Sequence, residues 1–154
     1  MTVPKIRLNV DIVSPFAYIA FHVLRTSPVF AKCSITYVPI PLGGLMKQCN
    51  NEAPINIRNK DKWIYKERIQ LARRFSVPMA TSYPESFPPK TVNIQRALCA
   101  ISQRFPEKLE AAIDALYRTL WAENNGKIGQ VEVLKPLLDD LLGVNNSQQI
   151  LDVR

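Results

Sequence analysis

The feature that most limits what this chain can fold into is the order of its first 42 residues: a strand, a helix, a second strand, and then a complete change of pattern. "IRLNVDIV", Ile6 to Val13, alternates Ile6, Leu8, Val10 and Ile12 with Arg7, Asn9 and Asp11, the period of a half-buried strand. "SPFAYIAFHVLRTSPVF" then places Phe16, Ile19, Ala20, Val23 and Leu24 at helical spacing. "CSITYVPIPL", Cys33 to Leu42, is another short apolar strand, closed by prolines. Strand, helix and strand at this length make a right-handed βαβ unit with parallel strands.

Beyond Gly43-Gly44, "GGLMKQCNNEAPINIRNK" reads as a polar loop, and every later pattern is helical. Ile64, Tyr65, Ile69, Ala72 and Phe75 mark one helix, which Val77-Pro78 closes. "YPESFPPKT", with Pro84, Pro88 and Pro89, is an extended connection. Thr91 opens a helix with Ile94, Ala97, Leu98, Ile101 and Phe105 on one face. Pro106 starts the next, which runs through Leu109, Ala112, Ile113, Leu116, Tyr117 and Leu120. After "ENNGKIGQ", Val131 to Leu142 is a last apolar helical stretch, bent or delayed by Pro136. The terminal "VNNSQQILDVR" is assigned no element. Two strands alone leave an unpaired edge and an uncovered apolar face, which dimerisation or another chain is expected to cover.

With 154 residues, 47% hydrophobic and 21% charged, the composition suits one soluble globular domain. The N-terminus lacks the apolar region of a secretory signal, and no run approaches about 18 apolar residues, so the expected location is the cytoplasm, with no membrane partner. Cys33, Cys49 and Cys99 are an odd number at wide spacing, with no CxxC and only His22 as an imidazole partner. Neither a metal site nor a disulfide framework is expected. The net charge of +7 is densest from Arg58 to Arg74, where seven Lys/Arg face Asp61 and Glu67. No nucleic-acid motif accompanies them, so this is read as a solvated helix face and no nucleic-acid partner is expected.

The chemistry concentrates at Ser14, the expected N-cap of the first helix, with Pro15 at the first helical position, where its missing N–H costs nothing. A helix N-terminus favours an anion, and a thiolate is one. Thiol-disulfide enzymes place the first cysteine of CxxC here; Ser14-Pro15-Phe16-Ala17 has neither cysteine, which excludes disulfide exchange by this motif. A serine hydroxyl can instead donate to a thiolate supplied by a ligand and keep it charged near neutral pH. An acyl-transfer role is unsupported, because Ser14 sits in no GxSxG and His22, two turns along the helix, points away. His22 is read as an ordinary helix residue. On local sequence alone Ser14 reads first as an ordinary N-cap, and something more specific is needed to make it a site.

Four segments in order, "DIVSPFAYIAF", "PIPLGGLMKQCNNEAP", "NKDKWIYKERIQLARRFSVP" and "SFPPKTVNIQRAL", give the chain its likeness to known proteins. It resembles the kappa-class glutathione S-transferases and their relatives, the 2-hydroxychromene-2-carboxylate isomerases, of the DsbA-like thioredoxin superfamily. The resemblance implies an α/β, thioredoxin-like fold with a large helical insertion: residues 1–45 as the N-terminal βαβ part, and 46–154 as the connecting loop and helical domain. By the same resemblance, the ββα that completes the thioredoxin half in that family, entered by a cis-proline, is expected to be missing from these 154 residues, and Val77-Pro78 is not read as its counterpart. The resemblance further implies a homodimer that activates glutathione as co-substrate against a small electrophile, or isomerises an unsaturated substrate with it. The family's compartments add mitochondrial and peroxisomal locations, although "DVR" is not an SKL-type ending.

By the same resemblance Ser14 matches the catalytic serine that hydrogen-bonds the glutathione sulfur, and Pro15 and Phe16 match its neighbours. Asn51 matches an asparagine that contacts glutathione, and Lys60 a lysine near the tripeptide's carboxylate. On its own Asn51 reads equally as a turn cap, and Lys60 reads first as one more solvated charge. Met46 and Trp63 are read either as acceptor-pocket lining or as plain packing. A non-catalytic binding or dimerisation module is the reading from another functional class.

Overall fold

The computed structural model describes residues 2–152. It opens with the expected unit: β1 (Lys5–Val10), α1 (Pro15–Thr26) and β2 (Ser34–Pro39), the strands parallel with Lys5 opposite Ser34, Leu8 opposite Tyr37 and Val10 opposite Pro39. The pleat sorts the side chains. Ile6, Leu8, Val10, Ile35 and Tyr37 turn inward, whereas Lys5, Arg7, Asn9, Ser34 and Thr36 are exposed. This corrects the expectation of an uncovered apolar face: the apolar side is packed, with α1 against β1 and the helix Val92–Arg104 against β2, and the open side is mostly polar. Among the described residues the sheet has two strands, so one edge of β1 is unpaired.

β1 ends three residues before Val13 because Asp11 turns the chain: its Oδ1 accepts the Val13 N–H at 3.2 Å, and Ser14 N–H donates to the Asp11 carbonyl at 3.0 Å. A second correction follows β2. The expected polar loop contains a helix, α2 (Leu42–Gln48), which runs across the expected division between residues 45 and 46. Its two glycines disfavour a helix, but Pro41 fixes the backbone before it and the Leu42 N–H is satisfied by Asp11 Oδ2 at 2.8 Å. That partner lies 31 residues away.

The helices are α3 (Lys60–Arg74), α4 (Val92–Arg104), α5 (Leu109–Tyr117), α6 (Val131–Leu142) and α7 (Val144–Leu151), with a π-turn at Arg118–Ala122 continuing α5. α6 starts at Val131 with Pro136 inside it, so the proline does not delay it. α7 was unassigned from sequence. It is fixed by Ser147, which is buried and whose hydroxyl donates to Asp139 within reach also of the Val144 carbonyl. Val153 and Arg154, part of the ending compared above with a peroxisomal signal, lie outside the described residues.

One core serves both parts of the chain. Leu98, Ile101, Ile113 and Leu116 are fully buried between helices, and the same cluster continues into Val10, Ile12 and Phe21. Tyr117 is the joint: its ring stacks on Tyr18 at 4.9 Å and tilts against Phe21 at 5.7 Å. Burying a side chain such as Phe21 contributes about 1.5–3 kcal/mol. No helix among the described residues is long and apolar enough to cross a membrane.

Candidate functional site

Ser14 caps α1 as its sequence suggests. Its backbone is extended (φ −91°, ψ 112°), its Oγ accepts the Ala17 N–H at 3.2 Å, and Pro15 takes the first helical position. The cap uses only the oxygen as acceptor. The hydroxyl proton has no acceptor among the described residues, and Ser14 is half-buried at the wall of a cleft of about 650 Å³.

Several segments frame this cleft, among them Ala53 to Ile55 from the loop before α3. The start of α1 supplies Ser14, Pro15 and Phe16; Pro41, Leu42 and Met46 come from around α2; Tyr83 and Phe87 to Lys90 come from the proline-rich connection. Its walls are mostly apolar, and Asp11 and Lys90 are the charged side chains that line it. Met46 therefore takes the lining role that was one of its two readings. Trp63 is exposed outside the cleft, its ring 6.4 Å from Phe16.

Asn51 and Lys60 are not brought to this lining. Asn51 is exposed, and its Oδ1 accepts the Glu52 N–H at 2.9 Å, a local turn bond. Lys60 is exposed at the first residue of α3. His22 lies further along α1, also outside the cleft, and burial holds its imidazole below the ordinary value of 6.5.

Two features that sequence reasoning passed over build the site. The first is Asp11, 2% exposed, which lines the cleft and also accepts Gln95 Nε2 from α4 at 3.0 Å. Its loop is held from behind by Tyr117, whose hydroxyl donates to the Asp11 carbonyl at 3.2 Å, and by Trp121, whose indole donates to the Ile12 carbonyl at 2.9 Å. The signal for it was a carboxylate at a strand end three residues before an N-cap serine, which is a turn signature.

The second is the support of the proline-rich wall. Arg68 of α3 is fully buried, donates to the Ala80 and Thr81 carbonyls at 2.9 and 2.7 Å, and lies over the rings of Tyr83 (4.5 Å), Tyr65 (5.2 Å) and Trp121 (5.5 Å). Burial pushes the Tyr83 phenol up, against the lowering effect of Arg68, so Tyr83 stays neutral in the cleft wall. Across from it, a Cβ at Gly129 would sit 2.6 Å from the Lys90 carbonyl oxygen, and one at Gly126 would collide with that of Glu85. Backbone meets backbone there, which only glycine allows. A basic residue inside an apolar helical stripe and two glycines in "ENNGKIGQ" were the available signals.

The site is thus a helix N-terminus with a free serine O–H, opening into an apolar cleft at the end of a parallel βαβ unit. Residues 5–150 match the DSBA-like thioredoxin domain. The chain belongs to the DSBA-like thioredoxin family.

Within that family its relatives carry one name. It is 30% identical over 122 residues to glutathione S-transferase kappa 1 of Rattus norvegicus, covering 77% of this chain and 54% of the rat protein. It is 26% identical over 159 aligned positions to glutathione S-transferase kappa 1 of Caenorhabditis elegans, covering 97% of this chain and 67% of the relative. The protein of that name in Homo sapiens is 23% identical over 124 residues. The chain thus spans about half the length of the rat and human relatives, 54% of each. Among solved structures, a 2-hydroxychromene-2-carboxylate isomerase superposes with a TM-score of 0.78 over 97% of this chain and 72% of its own; at 17% identity the likeness is one of fold. The resemblance read from the sequence and these comparisons agree on the DSBA-like family and on relatives named glutathione S-transferase kappa 1.

Proposed function

We propose that this chain acts as a glutathione S-transferase of kappa type, using glutathione as co-substrate against an electrophilic small molecule. The observation that carries the reading is Ser14: its oxygen is engaged as a cap while its proton is uncommitted, at the positive end of a 12-residue helix and at the wall of a cleft. The likeness to proteins named glutathione S-transferase kappa 1 supports it.

In this reading the ligand's thiol loses its proton to solvent, and Ser14 O–H donates to the resulting thiolate. That bond and the helix N-terminus lower the thiol pKa below the roughly 8.5 of a free cysteine thiol. The thiolate attacks the electrophile, a sulfur–carbon bond forms, and the leaving group departs with its electron pair. Ser14 stabilises and is not itself the nucleophile. Pro15 and Phe16 shape the sulfur end, and the apolar walls formed with Met46, Tyr83 and Phe87 hold the acceptor and exclude water. Asn51 and Lys60 are assigned to the tripeptide's peptide and carboxylate ends, outside the sulfur cleft, and the acting form is a homodimer.

A second reading, favoured by the fold shared with the isomerase, uses the same thiolate differently: it adds to a conjugated double bond, allows rotation and is eliminated again. Isothermal titration with glutathione, followed by product analysis with an electrophile and an unsaturated substrate, tests both. Binding with glutathione retained in the product is expected. Product free of glutathione sulfur selects the isomerase. No heat from a folded sample overturns both and leaves the binding or dimerisation module.

A further inference from the structure

We propose that Asp11 is the positioning residue for the Ser14 hydroxyl, and that Gln95 couples the helical part of the fold to that task. The chemistry at stake rests on the reading above; the placement rests on geometry alone.

Asp11 gathers donors from the β1–α1 turn, α2, α4 and α5. Its carboxylate accepts Val13 N–H (3.2 Å), Gln95 Nε2 (3.0 Å) and Leu42 N–H (2.8 Å), and its carbonyl accepts Ser14 N–H (3.0 Å) and Tyr117 Oη (3.2 Å). The β1–α1 turn, the start of α2 and the face of α4 therefore meet at Asp11: its carboxylate ties the turn at Val13 to Leu42 and Gln95, and its carbonyl holds the Ser14 N–H in the same turn. A buried carboxylate needs such donors to replace water.

None of those donors is a cation, and Lys90 is the one other charged side chain lining the cleft. A carboxylate beside a thiolate site acts on the thiol in two opposed ways. Its charge raises the thiol pKa by like-charge repulsion, whereas its geometry lowers that pKa by aiming the Ser14 proton. We infer that geometry is the larger effect, because the charge is spread over three donors while the turn that presents Ser14 is tied to Asp11 at two points, the carboxylate on Val13 N–H and the carbonyl on Ser14 N–H.

Gln95 gives an independent handle. It is 2% exposed, it does not line the cleft, and its Oε1 has no partner, so it reaches Ser14 only through Asp11. Gln95→Leu removes that orphaned acceptor along with the bond, which keeps the cost to folding small.

The test compares wild type, Asp11→Asn and Gln95→Leu in two measurements. One is the ultraviolet titration of the bound glutathione thiol; the other is amide hydrogen exchange at Val13, Leu42 and Leu98 without ligand. In Asp11→Asn the thiol pKa is expected to rise by about one unit, a tenfold loss of thiolate below the pKa, with kcat lowered and KM little changed. Val13 and Leu42 exchange faster while Leu98 does not, and Gln95→Leu shifts both readouts the same way by less. A thiol pKa that falls or stays in Asp11→Asn overturns the proposal, as does unchanged protection of Val13 and Leu42. If Asp11→Asn does not fold, Gln95→Leu decides by the same two signs. If wild type binds no glutathione, the transferase reading fails, and the exchange data alone decide whether Asp11 positions Ser14.

Discussion

At Ser14 the hydroxyl oxygen takes the Ala17 N–H while its proton has no acceptor among the described residues, and the proposed function gives that proton to a ligand thiolate. Ser14→Ala removes both. It is expected to cost about 1 kcal/mol of stability through the lost cap, measured by urea denaturation. Arg68 is a contrasting residue, buried for structure. Arg68→Met leaves the Ala80 and Thr81 carbonyls unpaired and should lower stability by about 2–5 kcal/mol; a loss under about 1 kcal/mol in the same denaturation assay would contradict that account. His22 sets a pH dependence. Burial, aided by Arg25 and opposed by Asp114, lowers its folded pKa, so the folded state binds a proton less readily than the unfolded chain. Its contribution is intact above 6.5 and is lost as pH falls from 6.5 through the folded value. His22→Gln should flatten that slope in denaturation midpoints between about pH 5 and 7. Ser14, Pro15 and Phe16 were legible in the sequence because a cap is a local event. Asp11 was not, because its carboxylate finds Leu42 and Gln95 at separations of 31 and 84 residues.

Among elements, β1, α1, β2 and the long helices follow from periodicity, which encodes which side meets the core. α2 and α7 do not, since each is short and is held by contacts that periodicity does not record: Asp11 on the Leu42 N–H, and Ser147 on Asp139. The wall of the cleft depends on the loop between the π-turn and α6. Gly126→Ala forces the Glu85 backbone away and should cost at least about 2 kcal/mol while weakening ligand binding. Glycine in a polar stretch suggested only a loop; what makes it necessary is a backbone 41 positions earlier that the sequence does not reveal as a neighbour. Retained stability and binding in Gly126→Ala would show that this wall yields freely.

For the molecule as a whole, the change of pattern after β2 suggested two regions, yet Tyr117 and Trp121 tie the helical part into the β1–α1 loop through a shared core. Thermal unfolding should therefore be one cooperative transition, with far-ultraviolet dichroism and tryptophan fluorescence coincident; two separated transitions would mean the regions fold independently. The open side of the sheet is polar because Lys5, Arg7, Asn9, Ser34 and Thr36 share it, a consequence of the alternation already present in "KIRLN" and "SIT". The central claim, that this fold presents Ser14 to a glutathione thiolate, meets its most direct test in the ultraviolet titration of glutathione bound to wild type and to Ser14→Ala. The account predicts a bound thiol pKa below that of free glutathione in wild type and a rise of about one unit in Ser14→Ala; identical titrations in the two proteins would contradict it.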